Sequence, residues 1–245
     1  MQLAVSTWHE VEEYLRRSAG IIIPVGSVEQ HGPNGLIGTD HLCAEVVARG
    51  VGDATGAAVA PTLAYGMSQH HLGFPGTVTL RPGTLMRVVQ DVVQSLAVHG
   101  FRRFFFINGH GGNIAPISTA FDEIYAAMSL GDPMLPVRCR MSFWSGPRCK
   151  ALSDELYPGA EGRHATASEV SLAQYYQPQH VKHAQMSPKI APDAPQFFDA
   201  ADYRRRFADG RIGSDPSLSS PEHGKRFHDA AVLDMVEAYT AFLDY

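Results

Sequence analysis

The chain has 245 residues, of which 44% are hydrophobic and 18% are charged, so it holds enough apolar material for a sizeable core. Its net charge of −5 gives no general attraction to nucleic acids or anionic membranes, and no apolar run approaches membrane-spanning length. Three cysteines outside any CxxC pair, and an acidic N-terminal segment unlike a signal peptide, predict a cytoplasmic protein.

Helix and strand patterns alternate along the first part of the chain. Thr7-Trp8-His9-Glu10 fits a capping box and predicts a first helix over 8–18. Apolar runs and helical spacing then predict, in order, a strand at 21–25, a helix at 41–51, a strand at 57–61, a helix at 85–98, a strand at 104–107, a helix at 114–128 and a strand at 136–143. This alternation predicts an α/β fold whose mainly parallel sheet is covered by helices on both sides.

The C-terminal part of the chain has a different composition. Residues 178–221 are rich in Pro, Asp, Ser and charge, and a helix at 221–243 with a Ser-Pro start follows them. Because a good helix follows, we expect one domain over 1–245, with 178–221 as a long irregular excursion packed on it. The basic cluster at 204–206 is too short for nucleic-acid binding and is typical of a solvated helix face.

A first group of polar residues follows the strand at 21–25. Glu29 and His31 are two residues apart, so in an extended segment they point the same way, and Asp40 begins the next helix. Carboxylate and imidazole ligands together suit Zn²⁺, Mn²⁺ or Fe²⁺. Taken alone, the pair is more simply explained as two polar residues on a solvated loop.

The motif NGHGGN places His110 just after the strand at 104–107. Its glycines allow a tight loop close to a ligand, and Asn113 is a candidate helix cap. A phosphate-binding loop is a second interpretation, but the GxGxxG pattern fails because Ile114 occupies the third glycine position. A third interpretation is that the glycines serve only the turn and His110 is a satisfied polar residue.

A third group lies in HATASEVS, where another helix begins. His164 and Glu169 are five residues apart, so they do not share one face of a regular helix. Glu169 can begin the helix while His164 stays on the preceding loop. As an isolated pair, these residues are most simply surface groups.

Together the three groups resemble the creatininase (creatinine amidohydrolase) family in order and spacing. The resemblance is carried by PVGSVEQHGPNGLIGTD, FPGTVTL, INGHGGN, HATASEVS and GSDPSLSSPEHG, and it spans most of the chain. It implies a three-layer α/β/α fold and a site for two divalent metal ions. One ion would take Glu29, Asp40 and His110, and the other would take His31, Asp40 and Glu169.

The same resemblance implies a reaction and a catalytic group. A metal-bound hydroxide would attack an amide carbonyl, and His164 matches the family's catalytic histidine, which passes a proton to the leaving nitrogen. The expected partner is therefore a small-molecule amide, either cyclic or linear. The resemblance also implies a homo-oligomer, commonly a hexamer.

Several positions depart from the family pattern. A tyrosine and a glutamate follow the loop histidine in creatininases proper, whereas this chain has Gly111 and Gly112 there. The aromatic residue that covers creatinine would fall near Ala160, so creatinine itself is a doubtful substrate. We retain Gly111, Gly112, His71 and Trp144 as candidate substrate contacts, although a core position suits Trp144 better.

The sequence therefore predicts a dinuclear metal-dependent amidohydrolase, with a formamide deformylase or a short-peptide hydrolase as alternatives within the family. A rival of another class is a non-catalytic ligand-binding protein on the same fold. A missing metal ligand would favour that rival, and all five candidate ligands are present.

Overall fold

The computed structural model describes residues 1–131, 136–194 and 196–244. Its sheet has four strands, β1 (Gly20–Val25), β2 (Ala58–Val59), β3 (Arg103–Asn108) and β4 (Arg138–Phe143). They run parallel in the order β2-β1-β3-β4, with Ile22 opposite Phe105 across the central pair. The predicted parallel sheet is confirmed, and β2 is shorter than the predicted strand at 57–61.

The two central strands are buried on both faces because nearly every side chain in them is apolar. Side chains alternate along a strand, so Ile22 and Phe105 enter one core while Phe104 and Phe106 enter the other. All four are fully buried. Each such side chain contributes about 1.5–3 kcal/mol relative to an exposed position.

The described residues form eight α-helices: α1 (Trp8–Leu15), α2 (Thr39–Thr55), α3 (Pro82–His99), α4 (Ile114–Leu130), α5 (Pro147–Leu156), α6 (Ala167–Tyr176), α7 (Ala200–Arg206) and α8 (Pro221–Leu243). Helices α2, α5, α6 and α8 contribute to the core on one face, and α1, α3 and α4 contribute to the core on the other. The three-layer α/β/α arrangement expected from the resemblance is therefore confirmed.

Most predicted helices form close to their predicted bounds. The capping box of Thr7 and Glu10 is present at the start of α1, although the helix ends at Leu15 instead of continuing to 18. Helix α8 spans the predicted residues and begins with a Ser220 cap. Helix α2 is longer than predicted at both ends and includes Asp40 in its first turn.

Among its described residues, the excursion at 178–221 contains one short α-helix, α7, and two short 3₁₀ helices at Pro178–His180 and Pro216–Leu218. The predicted solvated helix face at 204–206 forms the exposed end of that helix. A small separate core of Phe74, Tyr203, Phe207 and Ile212 holds the excursion against the loop before α3. The polar segment therefore has its own apolar anchor.

Two negative findings concern the described residues. None of their helices combines the length and the apolar character needed to cross a bilayer. The three cysteines, at positions 43, 139 and 149, are all free thiols.

Candidate metal centre

The candidate site lies beyond the carboxyl ends of β1 and β3. Ligands bind at this edge in open α/β sheets, because the loops that leave parallel strands meet there. Glu29 and His31 follow β1, Asp40 lies in the first turn of α2, and His110 follows β3. Glu169 comes from the first turn of α6, so five residues distant in sequence reach one place.

These residues form two groups of possible ligands that share one carboxylate. Glu29, Asp40 and His110 bring their ligand atoms within 4.8 Å of one another, and so do His31, Asp40 and Glu169. Oδ1 of Asp40 lies 3.0 Å from Nε2 of His31, and its Oδ2 lies 3.0 Å from Nδ1 of His110. Each carboxylate oxygen of Asp40 therefore faces a different histidine.

The second ring nitrogen of each histidine is held by a backbone carbonyl. Nδ1 of His31 lies 3.1 Å from the carbonyl oxygen of Glu29, and Nε2 of His110 lies 2.9 Å from that of Met67. A histidine that binds a metal commonly donates its other N–H to such an acceptor. The nitrogens that face Asp40 are thus the ones left for a metal ion.

Glu29 is fully buried and its carboxylate lacks the hydrogen bonds that burial normally requires. Neither oxygen accepts an aligned hydrogen bond from any described residue, although Nε2 of His71 and Nε2 of His110 lie 3.2 and 3.3 Å away. A buried carboxylate needs a cation or donors to offset its lost hydration. Together with the imidazole and carboxylate donor set, this unmatched carboxylate fits a divalent transition-metal ion.

The pKa values of the two histidines show how strongly the carboxylates act on them. Burial acts to lower the pKa of His31, but Asp40 outweighs it and raises that pKa to about 10. Glu29 and Asp40 likewise overcome the effect of burial at His110 and raise its pKa to about 9. The three carboxylates thus attract positive charge, which protonated imidazoles supply when no metal ion is bound.

The pKa values of the carboxylates shift in opposite directions. Burial acts to raise the pKa of Asp40 and Glu29, but the neighbouring histidines outweigh it and hold both below the usual range. At Glu169 burial prevails over the attraction of His31, and the pKa rises to about 7. Oε1 of Glu169 also accepts a 2.6 Å hydrogen bond from the backbone N–H of Thr166, within a capping box that orients the side chain.

His164 lies on the loop before α6, as the sequence predicted. The residue after it, Ala165, has a φ of 52°, a left-handed conformation that turns the chain sharply between His164 and the helix. Nδ1 of His164 lies 3.6 Å from Oε1 of Glu29. Burial, reinforced by His71 and His31, holds the pKa of His164 well below its usual range.

A cavity of about 330 Å³ opens beside these residues. Gly111, Gly112 and His71, three of the predicted substrate contacts, line it together with His164. The fourth, Trp144, is 2% exposed and packs in the core, so its role as a wall of the cavity stays a prediction.

Sequence reasoning missed four residues that line the same cavity: His70, Arg163, Phe197 and Ile212. Arg163 pairs with Asp193 of the excursion, with Nε 3.1 Å from Oδ1, and Phe197 and Ile212 belong to the excursion itself. No sequence motif marked these positions. Phe197 and Ile212 meet the site only through tertiary packing, whereas Arg163 and His70 are sequence neighbours of His164 and His71.

Asn113 differs from its predicted role. It occupies the N-cap position of α4, but its side chain makes no capping hydrogen bond to the described residues. Instead, its amide donates to the carbonyl of Gly26 and accepts from the N–H of Met67. The side chain therefore joins the loops after β1 and β2 to the His110 loop.

The fold and the cluster define an α/β protein of the metal-dependent hydrolase class, with the site at the carboxyl edge of a parallel sheet. The sequence profile described as "Creatininase: Creatinine amidohydrolase" matches residues 4–239. The chain belongs to the creatininase family.

Three relatives illustrate this membership. Creatinine amidohydrolase of Pseudomonas putida is 36% identical over 182 residues, which are 68% of each chain. A mycofactocin precursor peptide peptidase of Mycobacterium tuberculosis is 28% identical over 89% of this chain and 84% of its own. A solved structure named "Creatininase Mn" superimposes with a TM-score of 0.80 at 27% identity, over 99% of this chain and 98% of that one.

Proposed function

We propose that this chain hydrolyses the carbon–nitrogen bond of a small amide at a centre of two divalent metal ions. The observation that carries the proposal is the position of Asp40, whose two oxygens face the ligand nitrogens of His31 and His110. A carboxylate in this position can bridge two ions. The imidazole and carboxylate ligands favour Zn²⁺, Mn²⁺ or Fe²⁺, and the solved relative "Creatininase Mn" is a manganese form.

Each ion would have its own ligands beside the shared one. Glu29 and His110 would hold the first, and His31 and Glu169 would hold the second. When bound, such ions lower the pKa of water and polarise a substrate carbonyl. The protein contributes a buried site in which the ligands are already gathered, so little reorganisation is needed.

His164 is the proposed proton carrier. Burial favours the neutral form of the ring, whose free lone pair can accept a proton from the attacking water. The same ring can then give that proton to the leaving nitrogen, which is a poor leaving group without it. The side chain lines the cavity, so it is placed to reach both atoms.

The cavity supports a small substrate. Its volume of about 330 Å³ lies at the lower end of the range for ligand pockets, and the excursion encloses one side of it. Ala160 cannot stack on a substrate ring and is itself buried, so we favour an amide other than creatinine.

A short-peptide hydrolase is the second candidate. The similarity to the mycofactocin precursor peptide peptidase extends over 231 residues, which is more of this chain than the creatinine amidohydrolase match covers. Linear amides and formamides remain within the same proposal, since their hydrolysis needs the same groups.

We also propose the wider setting of the enzyme. One domain spans 1–245, which is supported by two cores that share one sheet. We propose that the protein is cytoplasmic, in keeping with its free cysteines, and that it forms a homo-oligomer, with a hexamer as the specific prediction.

Metal analysis of the purified protein, followed by a hydrolysis screen with added Mn²⁺ or Zn²⁺, tests this function. The screen would compare creatinine, other lactams, formamides and dipeptides. We expect close to two equivalents of metal and turnover of at least one class. Protein that binds no metal and cleaves nothing would instead support a non-catalytic ligand-binding role.

A further inference from the structure

Gln30 lies between the two ligand candidates Glu29 and His31, and its side chain is 6% exposed. Its Oε1 accepts a 2.8 Å hydrogen bond from the backbone N–H of Gly32, which fixes the orientation of the amide. Its Nε2 therefore faces the histidines. That nitrogen lies 2.9 Å from each of three atoms: Nδ1 of His71, Nε2 of His164 and the carbonyl oxygen of Gly210.

An amide nitrogen has two hydrogens, so the three neighbours cannot all accept from it. The carbonyl of Gly210 is only ever an acceptor and takes one hydrogen. Gly210 is required at this point, because a Cβ there would lie 1.8 Å from Oε1 of Gln30. One hydrogen is then left for the two histidines.

The backbone of Gln30 decides between them. Its carbonyl oxygen lies 2.8 Å from Nε2 of His164, and this contact is a hydrogen bond only if that nitrogen carries the hydrogen. Nε2 of His164 therefore donates and cannot also accept from the amide. The remaining amide hydrogen goes to Nδ1 of His71.

These assignments fix the outer nitrogens of both rings. With Nδ1 of His71 accepting, its hydrogen is on Nε2, which lies 3.2 Å from Oε1 of Glu29. In His164 the Nδ1 lone pair is left free, and it faces Glu29 and the cavity.

We propose that Gln30 is a positioning residue that sets the tautomers of two site histidines with two different atoms. Its backbone carbonyl holds His164 with the hydrogen on Nε2. Its side-chain amide holds His71 with the hydrogen on Nε2, and His71 in turn orients Glu29. The inference rests on the proposed function for its catalytic meaning, but the tautomers themselves do not depend on the reaction.

The assignment specifies which nitrogen of His164 reacts. A proton taken from the attacking water arrives at Nδ1, and the hydrogen on Nε2 stays with the Gln30 carbonyl. The proton that leaves for the substrate nitrogen is the one on Nδ1, so the ring ends in the tautomer in which it began.

Long-range ¹⁵N–¹H spectra of the imidazoles in the zinc-loaded protein test the inference. We expect the Nε2–H tautomer for His71 and for His164, with resonances assigned from His71→Asn and His164→Asn variants. Gln30→Met removes the amide donor, and Gln30→Glu replaces it with an acceptor of the same shape. His71 should become a tautomer mixture in the first and move its hydrogen to Nδ1 in the second, while His164 keeps Nε2–H in both.

Metal affinity and kinetics provide the second readout. Because His71 orients a proposed ligand, both variants should bind metal ~10–100-fold more weakly. The decrease in kcat should be larger than the change in KM. Gln174→Met is the control, since this glutamine is also buried and its amide donates to Oγ of Ser219 instead of bonding either histidine. It should leave both tautomers and the metal affinity unchanged.

The outcomes separate the inference from the proposed function. Nδ1–H on either histidine of the unmodified protein would overturn the inference without any variant. An unchanged His71 tautomer in folded Gln30→Met would do the same. If the expected tautomers are found in a protein that hydrolyses no amide, the proposed function fails and the positioning role of Gln30 stands.

Discussion

The hydroxyl of Ser27 donates a 2.5 Å hydrogen bond to Oδ2 of Asp40. Ser27 is fully buried in the loop after β1, whereas Asp40 lies in the first turn of α2. The bond fixes the carboxylate so that its other oxygen faces His31. Partners of this kind orient metal ligands, and their loss usually weakens metal binding.

Replacing Ser27 with alanine tests this relationship. We expect Ser27→Ala to bind metal ~10–100-fold more weakly, because the Asp40 carboxylate can then rotate between its two histidines. A chelator competition assay measures the change. Ser171→Ala is the matched control, since this buried serine donates to the carbonyl of Ala167 in α6 and contacts none of the proposed ligands. Equal affinities in the two variants would contradict the orienting role.

The shared carboxylate predicts an asymmetry between ligand variants. Asp40→Ala removes a ligand from both groups, so we expect nearly complete loss of bound metal. Glu169→Gln weakens only the second group and should leave about one equivalent. Mass spectrometry of metal content measures both. An Asp40→Ala protein that keeps one tightly bound ion would refute the bridging position.

The central strands and most helices could be predicted because one local property dominates each of them. A run such as Phe104-Phe105-Phe106 is apolar on both faces and can only be a buried element. In the excursion at 178–221, no single local property of the sequence dominates in this way. Its small core around Tyr203 joins residues more than one hundred positions apart, and local spacing carries no information about such contacts.

The candidate ligands could be found because the order of the motifs is specific. Gln30 could not be, although it lies inside the first of those motifs. Alternation in an extended segment predicts that Gln30 points away from Glu29 and His31. The histidines that it contacts come from positions 71 and 164, so only the tertiary structure reveals its role.

The two glycines after His110 predict different responses to the same substitution. A Cβ at Gly112 would lie 2.4 Å from Nε2 of His110 and 2.4 Å from the carbonyl oxygen of Met67. At Gly111 an added Cβ meets no described atom within 4 Å. Any residue with a side chain at 112 therefore needs a different path of this loop.

We expect Gly112→Ala to displace the His110 ring from its Met67 hydrogen bond and to weaken metal binding by at least ~10-fold. Gly111→Ala, its neighbour, should bind metal like the unmodified chain. Isothermal titration with Zn²⁺ after chelation measures both affinities. Comparable losses of metal affinity in the two variants would mean that Gly112 provides general loop flexibility instead of space for the His110 ring.

Arg211 ties the excursion together from inside the protein. Its guanidinium is fully buried and donates to the Asp209 carboxylate and to the carbonyls of Pro188, Lys189 and Ser214. Arg211→Met keeps much of the apolar volume but removes these hydrogen bonds, although the Ser214 carbonyl still accepts from the N–H of Ala191.

We expect Arg211→Met to lower the free energy of unfolding by about 2 kcal/mol, since the excursion loses the hydrogen bonds of a buried guanidinium to three carbonyls and one partly exposed carboxylate. Urea denaturation measures this change. Arg226→Met is the control, because its ion pair with Glu155 is about half exposed and is worth less than about 1 kcal/mol. Metal content should stay unchanged in both variants, as the five proposed ligands lie outside the excursion. Hydrogen exchange that rises within 186–214 alone would locate the loss there, whereas a rise across α2 and β3 would show that the excursion also supports the metal centre.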